Sequence, residues 1–100
     1  MPVVRDLFGD ILDVSIPMML HCSDKATVDR LKEQIGQFAR EPICPISVHA
    51  MRTELAVLRS ALRMIGVDLE EGKKKAMAPV NQLDTILLAF QEYFLARNKS

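Results

Sequence analysis

The sequence predicts an all-α fold: a small bundle of three to four amphipathic helices that dimerisation could complete. Three observations carry that expectation. Apolar residues recur at alternating steps of three and four, as in Met51, Leu55, Leu58, Leu62 and Ile65, which places them on one face of a helix with 3.6 residues per turn. The same spacing returns in Val28, Leu31, Ile35 and Phe38, and again in Val80, Leu83, Leu87 and Phe90. Between these stretches lie residues that end or start helices, among them Pro42, Pro45, Gly66 and Pro79.

Residues 3–14 give the first helix, with Val4, Leu7, Phe8, Ile11 and Leu12 on one side and Asp6, Asp10 and Asp13 on the other. Gly9 weakens it, since glycine costs ~1 kcal/mol inside a helix. The three aspartates read as a solvated acidic face, because no calcium-loop pattern accompanies them. Residues 14–22, VSIPMMLHC, lack a period. Pro17 cannot donate to a ladder, so the stretch reads as an extended connector with edge-strand character.

Ser23 or Asp24 caps the second helix, residues 24–40, which ends at Glu41 because the residue before Pro42 avoids the helical region. Gly36 falls on its polar face and reads as a tolerated weak point. The link EPICPI is a stiff corner rather than a polyproline ligand. The third helix, residues 48–65, takes Ser47 as its N-cap and Gly66 as its left-handed stop. Residues 67–79 read as a loop or a short helix: Glu70/Lys74 and Glu71/Lys75 favour helix, and Gly72 opposes it. Pro79 then fits the first turn of the last helix, residues 80–97. The expected core is Leu31, Ile35, Phe38, Leu55, Leu58, Leu62, Leu83, Leu87 and Phe90.

One hundred residues make one domain, 1–100, with a modest single core. Thirteen basic residues balance thirteen acidic ones, so no global field draws the chain to nucleic acid or to an anionic membrane. Asp6, Asp10 and Asp13 interrupt any secretory pattern, and the longest apolar run, Val14–Leu20, is far short of the ~20 residues of a membrane span. A cytoplasmic location follows as the expectation, with Cys22 and Cys44 as reduced thiols.

Candidate functional residues come from surplus apolar surface. On the last helix Leu88 and Leu95 form a second stripe, set apart from the main face by Asp84 and Gln91. A helix with two apolar faces contacts two neighbours, here the N-terminal segment or another molecule. On the central helix Ala50, Val57, Ala61 and Met64 widen the apolar arc, and Glu54 lies inside it, where a carboxylate needs an Arg or His partner. Leu88, Leu95, Tyr93, Val57, Met64 and Glu54 are therefore the expected partner-binding residues. The leading expectation is a non-catalytic regulator, whether anti-activator, inhibitor or chaperone-like adaptor, that binds another protein and itself as a homodimer.

The alternative is a small dimeric DNA-associated regulator offering Arg52, Arg59 and Arg63 to phosphates, or to an acidic partner. Neutral charge and the lack of a helix-turn-helix oppose it. A weaker alternative is a thiol or metal sensor. His21, Cys22, Cys44 and His49 supply the ligand count for zinc, but their spacing matches no finger or ribbon, so neither metal nor cofactor is expected. No phosphate loop, H-E-x-x-H or elbow serine is present. No enzymatic activity is expected.

Overall fold

The computed structural model describes residues 4–98; 89% of these are helical, and no strand occurs among them. Four helices form the body: α1 (Val4–Asp10), α2 (Lys25–Arg40), α3 (Pro45–Arg63) and α4 (Glu70–Asn98). Val3, the expected start of the first helix, lies outside the described residues. None of the helices is long and apolar enough to cross a membrane.

Residues 14–22 are not extended. α1 continues through a π-turn (Ile11–Ser15), a single α-turn (Ile16–Met18) and a 3₁₀ turn (Met19–His21). The π-turn re-registers the backbone, with the Ile16 N–H bonded to the Ile11 carbonyl. Pro17 thereby sits in the first turn of a new helical piece, where its missing N–H has no intrahelical partner to lose. The widened turn also brings Ile11, Ser15, Ile16 and Met19 inward, all of them buried.

α2 follows Asp24 and buries Val28, Leu31 and Ile35. It ends at Arg40, and Glu41 turns extended before Pro42. A Cβ at Gly36 would meet only Arg40 Nη1, at 3.9 Å, so no backbone presses on that spot. α3 starts earlier than its expected cap. Pro45 opens the helix and Cys44 is the N-cap. Ser47 sits three residues on, and its hydroxyl accepts the Cys44 N–H at 3.0 Å in a reciprocal capping box. Pro45 explains the shift, because its fixed φ suits the first helical position. At the other end α3 stops at Arg63, and Gly66 takes φ −69°, ψ 165°. It is extended, not left-handed; Met64 and Ile65 instead close the end by bonding back to the carbonyls of Ala61 and Leu62.

The largest departure is α4. Residues 70–79 are neither loop nor short helix but the first third of a 29-residue helix with Pro79 inside it. An interior proline costs ~3 kcal/mol or more through its lost hydrogen bond and its clash with the preceding turn. Packing answers that cost. Ser15, the buried polar residue of the core, donates its hydroxyl to the Ala76 carbonyl in the turn before Pro79. Ala76, Pro79 and Val80 are buried around it, and Met18 lies against Gly72 where a Cβ would stand 2.6 Å from its methyl carbon. At 1.5 Å per residue α4 is roughly 43 Å long, which sets the 50 Å long axis of the molecule.

α3 and α4 pack antiparallel, α2 returns against α3 through the residue 41–44 link, and the N-terminal segment runs antiparallel along α4. Seven of the nine expected core residues are buried; Phe38 and Phe90 are half-buried against that core. The N-terminal segment adds Leu7, Phe8, Ile11, Ile16 and Met19 to the core.

Candidate functional site

The expected partner-binding residues do not share one surface. Leu88 and Leu95 lie within 20° of one another at 100° per residue, but about 140° from Tyr93. Leu88 is 39% and Leu95 56% exposed. The N-terminal segment leaves them uncovered because it packs on another flank of α4, through Ser15 on Ala76 and Met18 on Gly72. Tyr93 belongs to an aromatic group, edge-on to Phe94 at 5.8 Å, with Phe94 stacked on Phe90 at 6.3 Å. The Arg97 guanidinium lies over its ring at 5.7 Å and donates to its hydroxyl at 3.1 Å.

Val57 on α3 and Met64, its C-cap, lie about 140–160° around the helix from Arg59, and Met64 is 78% exposed. Glu54 does find an arginine: Arg30 of α2 donates to it at 3.4 Å. With Arg30 half exposed, that pair contributes little to stability.

The arginine row is largely spoken for. Arg52 Nε donates to Asp84 Oδ1 at 2.9 Å, and Arg59 Nη2 donates to Asp84 Oδ2 at 3.0 Å. Arg52 also gives Nη1 to Gln91 at 2.7 Å. Asp84 and Gln91, which separated the two apolar stripes in the sequence, thus form the seam between α3 and α4. Burial raises the Asp84 carboxyl's pKa, but the hydrogen bonds and charges of the two guanidiniums outweigh burial and hold it below its ordinary value. Arg63 stands exposed in the last turn of α3.

The thiols and imidazoles are dispersed. Cys22 donates to the Ala61 carbonyl at 3.0 Å, near the end of α3. Cys44 precedes the start of the same helix, roughly 25 Å away at 1.5 Å per residue. The two cannot share an ion or form a disulfide. Among the described residues no three His, Cys, Asp or Glu side chains converge on a metal-sized space. Cys44 is exposed, and the Ser47 hydroxyl and N–H lower its thiol pKa.

One concave feature among the described residues lies between the first turn of α1, the end of α2 and the start of α3. A half-open cavity of about 220 Å³ is walled by Phe8, Phe38, Val48, Met51 and Leu87. Arg5 and Glu41 stand at it with one charge of each sign, and Pro42 and Ile43 of the stiff link form part of its wall. One turn on, Ile46 is 82% exposed. Small apolar cavities with a few polar groups at the mouth take apolar anchors. Sequence reasoning assigned these residues to the core or to a rigid corner. The one available signal was the pair of isoleucines in EPICPI, apolar side chains held on a link too short to fold back over them. No known protein family, curated protein or solved structure matches this chain.

Proposed function

We propose that the chain is a non-catalytic protein-binding regulator, of the anti-activator, inhibitor or adaptor kind, that acts through apolar helical surfaces and as a homodimer. The observation that carries this reading is the 220 Å³ apolar cavity at one end of the bundle, with Ile43 and Ile46 exposed beside it. A helix or extended segment bearing one or two large apolar side chains fits such a recess, which is the helix-in-groove mode of recognition. Its two rim charges cancel, so shape and apolar area select the partner more than electrostatics does. The dispersal of His and Cys, and the commitment of Arg52 and Arg59 to Asp84, support a binding role over catalysis, metal sensing or phosphate contact.

The test is affinity capture of tagged protein from native lysate, with and without nuclease, read by mass spectrometry. One stoichiometric protein that survives nuclease is expected, and the pair Ile43→Glu with Ile46→Glu should release it while helicity by circular dichroism stays constant. Leu88→Glu with Leu95→Glu asks the same of the second apolar stripe. Retention of the partner by both double variants, or recovery only of nucleic acid, would overturn the reading.

A further inference from the structure

The N-terminal segment covers one flank of α4 only in part. Met18 meets Gly72, Ser15 bonds Ala76, and Leu7, Asp10 and Val14 border Lys75, Pro79 and Gln82. Val4, where α1 begins, reaches the level of Leu87. Beyond it Ile86, Ala89, Phe90 and Tyr93 form an apolar groove that no other described residue covers. Along this flank Pro79, Gln82, Ile86, Ala89, Tyr93 and Ala96 follow at steps of three, four, three, four and three. That is the spacing of a heptad seam; its own positions are uncharged, and the Arg97 guanidinium lies over the Tyr93 ring near its C-terminal end.

We propose that the occupant of this flank is the α4 of a second copy of this chain, the two C-terminal thirds pairing antiparallel about a two-fold axis. The N-terminal segment decides the direction. It stands beside the flank before Ile86 through Leu7, Asp10 and Val14, so parallel pairing would drive two α1 segments into one another, whereas antiparallel pairing leaves the two bodies at opposite ends. The register then sets large against small: Ile86 faces the second copy's Ala96, and Tyr93 faces its Ala89. Such alternation lets two helices interdigitate. Phe90 falls beside the axis against its own counterpart, as a two-fold interface requires. Glu92 also falls near its counterpart, a like-charge contact that keeps the dimer weak. About eight residues a side take part, fewer than the 20–30 of a standard interface, so association is concentration-dependent.

This inference rests on the homodimeric part of the reading above and not on the external partner. Ile43→Glu with Ile46→Glu should dimerise normally while losing that partner, so the two can fail separately. Sedimentation velocity from roughly 5 to 500 µM is expected to show the mass rise from 11.3 kDa towards twice that value. Ala89→Glu should hold it at the monomer with unchanged circular dichroism, Leu88→Glu on the far flank should leave it associating, and Glu92→Gln should tighten it several-fold. With Cys44→Ser as background, Ile86→Cys chains should cross-link to Ala96→Cys chains faster than either does to itself. A mass that stays monomeric throughout, association surviving Ala89→Glu, loss of association through Leu88→Glu instead, or self-cross-linking at each position would each overturn the proposal.

Discussion

Replacing Asp84 with asparagine isolates what joins α3 to α4. The carboxylate accepts from Arg52 and Arg59 at 2.9 and 3.0 Å, and the three side chains are 18, 31 and 24% exposed. Hydrogen bonds to charged groups contribute ~1.5–3 kcal/mol each when sheltered, and this degree of exposure moves them towards the lower end through solvent screening. Asparagine keeps one acceptor but turns an NH₂ donor on the other guanidinium. Among the described residues nothing bonds the buried Arg59 Nε, so little remains to absorb the loss. The expected cost is about 2–3 kcal/mol, a drop of ~1.3–3 M in the urea midpoint for a slope of roughly 1–1.5 kcal/mol/M. The pH dependence has a definite sign. Because the folded carboxyl titrates below its ordinary value of 3.8, its contribution is complete above that pH and fades as the pH falls through the lower, folded value. The gap between parent and Asp84→Asn should therefore narrow in acid. A midpoint shift below ~0.3 M at neutral pH, or a gap that persists unchanged to about pH 2, would refute the clamp.

Two further outcomes follow from the packing. Leu58→Ala should cost ~2–5 kcal/mol by urea unfolding, since Leu58 is fully buried, while Phe90→Ala, at a half-buried position, should cost less than Leu58→Ala. Ser15→Ala leaves the Ala76 carbonyl without its hydroxyl donor in a buried place beside Pro79, so a loss of ~1–3 kcal/mol is expected; amide exchange in residues 70–80 of α4 should rise with it, and unchanged exchange there would dissociate Ser15 from the proline turn.

The sequence by itself determined the all-α class, the inward faces of α2 and α3 and of the last two-thirds of α4, and the need of Glu54 for a basic partner. These are local properties. A period of 3.6 is written in neighbouring residues, and a carboxylate within an apolar arc needs an answer whatever supplies it. Only the tertiary structure decided the rest. Pro17 reads as part of an extended connector and Pro79 as the first turn of a new helix, yet both lie within continuous helical chain. For Pro17 the reason is the π-turn before it, and for Pro79 the packing of the N-terminal segment, with Ser15 bonded to Ala76 61 residues away and Ala76 and Val80 buried. In the sequence Arg52 and Arg59 read as a stripe for phosphates or an acidic partner; in the fold Asp84, 32 and 25 positions along, accepts from both. The candidate site has the same origin: Phe8, Phe38, Met51 and Leu87 are core residues by pattern. The turn of the stiff 41–44 link leaves a recess among these described residues at one end of the bundle, and no local spacing records how helices from distant parts of the chain meet there.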